Sequence, residues 1–207
     1  MTLLTIYMEG GGNSGAQKTK LGRGMEQFLV SFKEKLRAKN GNLRVTPRGT
    51  RQAAYDAFVN ARRWPEPGEI IILLVDSEAA VAACDDASAH LRKRQGDGWD
   101  LRGVSIDHIH LMAQTMEAWL VADPEALASY YGQHFHMNAL PVRDDLEEES
   151  KIDCANKLAA ATRPTQKGEY QKIRHAADLL GRISPDKVRK RCPRAEIMFS
   201  TLTRLIE

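Results

Sequence analysis

Two short runs carry the acidic residues best placed for chemistry. Glu9 directly follows LLTIYM, and Asp76 and Glu78 lie at the end of EIIILLVDSE. Both apolar runs read as strands, and EIIILLV is apolar on both faces, as at the centre of a parallel sheet. If the two strands are neighbours, three carboxylates meet at the carboxyl-terminal edge of the sheet, where open α/β folds bind ligands. Burial and like charge would raise their pKa values. A hard divalent cation relieves that repulsion, and an oxygen-only ligand set suits Mg2+ or Mn2+. Each feature alone has a plainer reading. Glu9 would pair with a nearby arginine, and Asp76 or Ser77 would cap a following helix, a contribution of about 1 kcal/mol. Their joint occurrence at two strand tips favours the metal.

The loop after Glu9 offers a rival chemistry. Gly10, Gly12 and Gly15 satisfy G-x-G-x-x-G. A dinucleotide fold also needs a helix that starts within the motif and an acidic residue about 20 positions on. Here the next strand ends in TPRG, and confident helical spacing begins only at Gly24. A nucleotide-binding Rossmann-like domain is therefore the lesser alternative. A Walker loop fits worse: Ala16 stands at the lysine position, and Lys18 and Thr19 come two residues late. In the metal reading the glycines let backbone and substrate phosphate approach the cation.

Further candidates follow along the chain. Glu117, in MEAWLVAD beside Trp119, lies mid-helix, where a buried carboxylate needs a partner. It reads either as an additional ligand or as half of a salt bridge. Asp123 before Pro124 reads as a helix N-cap. Alternation in IDHIHLM puts His108 and His110 on one face, with His110 as a candidate acid or base. His134 and His136 read as surface residues. Lys167, Tyr170 and Lys172 in QKGEYQK, with Arg23, Arg48 and Arg51 near loop edges, suit phosphate contacts that position a nucleic-acid strand without reading its sequence. Aromatic residues are too few to suggest a base-stacking platform.

These residues need a frame to position them. Strands are expected at 3–8, in LRVTP, at 69–75 and at 106–112. Between and after them MEQFLVSFKEKLRAK, RGTRQAAYDAFVNARRW, SEAAVAACDDASAHLRKR and AQTMEAWLVA read as helices. That alternation predicts an α/β domain over residues 1–123, with a mostly parallel Rossmann-like sheet and flanking helices, and a helical extension over 124–207 packed on it.

The 207-residue composition, 28% charged and 43% apolar, is that of an ordinary soluble globule. A net charge of +3 is too small to establish nucleic-acid binding. Charge is uneven, though: Lys and Arg outnumber Asp and Glu from Arg163 onward, while DDLEEE at 144–149 is an acidic knot. No apolar run approaches the roughly 20 residues of a membrane span, and no signal-peptide pattern opens the chain. Cys84, Cys154 and Cys192 form neither a disulfide framework nor a zinc motif. The cytoplasm is the expected compartment.

With Glu9 after the first strand and Asp76-x-Glu78 after the third, the N-terminal half resembles the TOPRIM domain of topoisomerases, bacterial primases and overcoming-lysogenization-defect nucleases. The resemblance implies that Glu9 and Asp76 hold Mg2+ for phosphoryl transfer on nucleic acid. Glu78 stands where that family usually has aspartate, a departure that keeps the oxygen but lengthens the reach. YMEGGGNS, LLVDSE, HLMAQTMEAWLVAD and KGEYQK, with the terminal CP-containing helices, further resemble the bacterial family catalogued as domain of unknown function 4276. The similarity covers nearly the whole chain. It implies a TOPRIM-like protein of defence and mobile-element gene neighbourhoods, often beside an ATPase partner. Two functions are expected from this: a metal-dependent nuclease acting on DNA or RNA, or a non-catalytic effector or sensor subunit of an ATPase. A covalent topoisomerase is not expected, since no tyrosine is presented as nucleophile.

Overall fold

The computed structural model describes residues 2–207. Four strands form one sheet: β1 (Leu3–Met8), β2 (Asn42–Pro47), β3 (Glu69–Asp76) and β4 (Ile109–Met112). Their order is β2-β1-β3-β4, and every pairing is parallel. This is the expected α/β class, and it makes β1 and β3 neighbours, with Met8 opposite Leu74.

Helices cover both faces. Against one face Leu4, Ile6, Met8, Ile72 and Leu74 pack on α1 (Gly15–Phe28) and α2 (Val30–Ala38). Against the other, Ile71, Leu73 and Val75 meet Ala54 and Phe58 of α3 (Arg51–Arg63) and Leu91 of α4 (Ala87–Lys93). The period-2 alternation of β3 thus feeds two cores at once, as its all-apolar composition demands.

Three local expectations need correction. Helix α1 starts at Gly15, not Gly24, because Ser14 and Gln17 form a reciprocal capping box. The alanine-rich run after β3 is not helical before Ala87. Its first residues extend the sheet edge instead: Ser77 N–H bonds Met112 O (3.1 Å) and Glu78 N–H bonds Gln114 O (2.9 Å). Asp86 then caps α4 through the Ala89 N–H. Finally, Ile106–His108 is a 3-10 turn capped by Ser105, which shortens the expected fourth strand to β4.

Beyond β4 the chain is helical: α5 (Met116–Val121), α6 (Pro124–Tyr131), α7 (Lys151–Thr162), α8 (Lys172–Leu180), α9 (Pro185–Arg191) and α10 (Pro193–Ile206). Pro124 opens α6 at its first turn, and Asp123 caps it through the Ala126 N–H. These helices share the α1/α2 core rather than forming one of their own. Trp119, fully buried, lies 5.5 Å from Phe28, and Phe28 meets Phe199 edge to face at 5.7 Å. Burying each such ring is worth on the order of 2–3 kcal/mol. Gly24 lets α8 come close to α1: a Cβ there would lie 2.2 Å from the Ala177 carbonyl oxygen. Among the described residues no helix is long and apolar enough to cross a membrane.

Candidate metal centre

The chain leaves β1 at Glu9, whose N–H bonds Leu74 O at 3.2 Å. Gly10 and Gly49 then exchange two backbone hydrogen bonds of 2.9 Å, stitching the loop to the chain beyond β2. Gly10, Gly11 and Gly12 all have positive φ, and a Cβ on Gly11 would sit 2.9 Å from the Lys18 Cα. The glycines therefore serve a sharp return from the strand tip into α1, a path closed to L side chains. Glu78 is also left-handed (φ +67°) without being glycine, at a cost of about 1 kcal/mol. Its N–H bond to Gln114 and a salt bridge to Lys151 hold it there.

One carboxylate oxygen from each of Glu9, Asp76 and Glu78 lies within 4.8 Å of the others. Asp76 is almost wholly buried. Its Oδ1 accepts the N–H of Met116, the first residue of α5, at 2.8 Å, so Asp76 does not cap the segment that follows it in sequence. Its Oδ2 accepts from Lys172 Nζ at 3.0 Å and from Thr115 Oγ1 at 3.4 Å. Buried Glu117 joins from α5. It accepts from Tyr170 Oη at 2.9 Å, from Thr115 Oγ1, and from Lys172 Nζ at 3.4 Å. On the far side Arg51 forks onto Asp97, donates to the Asp76 carbonyl, and lies 3.5 Å from Glu9.

The charges are unevenly matched. Burial and then Asp76 push the Glu9 carboxyl up to about 7, although Arg51 and Lys172 pull it down. Asp76 is raised by burial, against the pull of Lys172, with Glu117 and Glu78 raising it further. Glu117 goes the other way. Burial raises it, but the Lys172 charge and the hydroxyls of Thr115 and Tyr170 together hold it below the usual range. The oxygen-only donor set and the excess of negative charge at Glu9 and Asp76 fit a hard divalent cation. Glu9, Asp76 and Glu78 would hold it, with Glu117 behind Asp76 and linked to it through the shared donors Lys172 and Thr115. A cleft of about 240 Å3 opens beside them, lined by Gly10, Gly11, Gly12, Lys172 and Ile173.

The other candidates divide. His110 is not part of this centre. Its Nε2 bonds the Asp107 carbonyl at 3.1 Å, it lines a different cavity with Arg194 and Ile197, and burial lowers its pKa to about 4. The cause is the 3-10 turn, which places Asp107 beneath the ring. Of the six residues expected at phosphates, Arg51, Tyr170 and Lys172 turn inward to carboxylates. Arg23 is exposed on α1, Arg48 is exposed over the Tyr7 ring at 5.1 Å, and Lys167 lies over the Tyr130 ring at 5.0 Å. His134 and His136 are exposed.

Thr115, Lys151 and Asp97 went unnoticed in the sequence, because the partners that tie them to this centre, Asp76, Glu78 and Arg51, lie on other elements. Lys18, set aside as misplaced for a Walker loop, runs along Gly11 and Gly49 and borders a shallow groove with Arg48.

No curated protein and no solved structure shows significant similarity to the chain. One family model matches residues 8–203, nearly the full length that carries both the sheet and the carboxylate centre. The chain therefore belongs to the family described as Domain of unknown function (DUF4276).

Proposed function

We propose that this protein is a divalent-cation-dependent nuclease of TOPRIM-like type, acting on nucleic-acid phosphodiesters. The observation that carries the reading is the convergence of Glu9, Asp76 and Glu78 within 4.8 Å, from the tips of two adjacent parallel strands. A bound Mg2+ or Mn2+ would supply a Lewis acid for the phosphoryl group and lower the pKa of a coordinated water. The chain's own residues do the rest. Asp76, fixed by the Met116 N–H, and Glu117, fixed by Tyr170, keep the carboxylate frame rigid. Arg51 holds the β3 tip through the Asp76 carbonyl. The glycine loop keeps side chains out of the adjoining cleft, and Lys18 and Arg48 offer positive charge for a phosphate backbone along a separate shallow groove.

Two observations support other readings. Lys172 and Arg51 already offset part of the negative charge, which favours a non-catalytic effector or sensor subunit, such as the partner of an ATPase. Helix α1, starting at Gly15 directly after the glycine loop, restores part of the nucleotide-binding pattern.

One set of experiments separates the three. The purified chain is incubated with mixed DNA and RNA plus Mn2+ or Mg2+, alongside Glu9→Gln and Asp76→Asn. The nuclease reading expects metal-dependent cleavage that both variants lose, and equal cutting by all three proteins overturns it. Cleavage only after an ATPase is added favours the subunit. A thermal shift with ATP or NADP but no divalent ion favours the nucleotide site.

A further inference from the structure

Lys172 is the residue whose place differs most in kind from its expected role. Instead of facing solvent phosphate, its ammonium sits between Asp76 Oδ2 (3.0 Å) and Glu117 Oε2 (3.4 Å). It is also the group there best able to move. Asp76 is pinned by the Met116 N–H and Glu117 by Tyr170 and Thr115. Arg51 is locked by its fork onto Asp97 and its bond to the Asp76 carbonyl. Among the described residues the Lys172 ammonium has no hydrogen-bond partner besides those two carboxylates, its side chain keeps 38% of its exposure, and it borders the cleft beside Gly10, Gly11 and Gly12. A lysine is a point charge on a flexible four-carbon stem, so it can change partners without breaking a planar fork.

We infer that Lys172 is the exchangeable counter-ion of this centre: a divalent cation on Glu9, Asp76 and Glu78 displaces its ammonium from Asp76, and the freed group takes a substrate phosphate oxygen in the cleft. The inference rests on the metal reading above. It gives one lysine two successive anionic partners and makes cation loading a precondition of phosphate recognition. Loading and substrate binding then assist each other, by the same factor in both directions.

The test uses Mn2+ alone as probe, with free ion read by paramagnetic resonance, on wild type, Lys172→Met, Lys172→Arg and Asp76→Asn. Removing a competing positive charge at this distance tightens Mn2+ binding in Lys172→Met by about tenfold. Lys172→Arg, which keeps the charge, gains nothing. A second measurement needs no variant. In wild type the acetylation rate of Lys172, read by mass spectrometry against exposed Lys190, rises several-fold on adding Mn2+.

Mn2+ binding with unchanged Lys172 reactivity and no tightening in Lys172→Met overturns the exchange and leaves the metal centre standing. Failure of every protein to bind Mn2+ removes the metal reading, and the exchange with it. If Lys172→Met does not fold, the wild-type acetylation decides alone.

Discussion

The molecule holds two dense groups of acid, and they are assembled in different ways. In the run 144–149 the carboxylates are near neighbours in sequence, interrupted only by Leu146, and four of the five have partners close at hand. Asp145 caps the Glu147 N–H, Glu147 accepts from Arg194 N–H, Glu148 meets Arg143, and Glu149 pairs with Lys157 and Arg143. Around Glu9, Asp76, Glu78 and Glu117 the carboxylates come from the ends of β1 and β3 and from α5; Asp76 and Glu117 share Lys172, and Glu9 has only the 3.5 Å approach of an Arg51 already forked onto Asp97. Density of acid along a chain is thus a poor guide to a cation centre. Convergence from adjacent strand tips is what concentrates uncompensated charge.

The largest expected effect breaks the comparison most directly. Asp76→Asn abolishes Mn2+ binding and lowers metal-dependent cleavage by roughly a hundredfold or more, whereas Glu148→Gln in the acidic run changes neither by as much as twofold; calorimetry and single-turnover cleavage decide. Equal sensitivity at both places would erase the distinction.

A pH experiment sharpens it. Glu9 and Glu147 are each raised from 4.5 to about 7, both first by burial, then by Asp76 in one case and, with the Arg194 N–H opposing, by Asp145 in the other. A carboxyl raised on folding keeps a proton the unfolded chain sheds. The contribution of each of these two groups to native stability is therefore full below pH 4.5 and is lost as pH rises to about 7, by on the order of 3 kcal/mol for each. Denaturant titrations should show Glu9→Gln removing one share of that slope and Glu147→Gln the other. Saturating Mn2+ should suppress only the Glu9 share.

Smaller effects follow at the supports. Tyr170→Phe removes the 2.9 Å hydrogen bond to buried Glu117 and should cost about 1–2 kcal/mol, a fall in Tm of roughly 2–8 °C. Glu78→Gly should leave stability within about 1 kcal/mol of wild type, since relief of its left-handed backbone offsets the lost Lys151 pair. Mn2+ affinity should nevertheless drop. An unchanged affinity would take Glu78 out of the ligand set.

Much of the frame was legible because β1 and β3 are continuous apolar runs, and parallel central strands have no other composition to choose from. The meeting of Glu9 and Asp76 followed from strand adjacency, a single assumption. The start of α1 was missed because GAQKTKLGRG lacks apolar periodicity. The signal present was Ser14-x-x-Gln17, a capping box. The alanine run after Glu78 misled because helix propensity is weak beside the backbone bonds that Ser77 and Glu78 make to the segment after β4. Glu117 and Lys172 were each singled out, but their pairing across α5 and α8 leaves no trace in any local pattern. The inward turn of Tyr170 was hidden for the same reason.

The near-contact of Gly24 with Ala177 bears on how this protein can be trimmed or recombined. A fragment severed after Asp123 would keep every strand and all four acidic groups, yet lose Phe199 of α10 from against Phe28, Lys172 of α8, and Tyr170 just before it. The minimal transplantable unit is consequently far longer than its sheet. Even an alanine at position 24 would wedge the two halves apart at the seam beside the cleft.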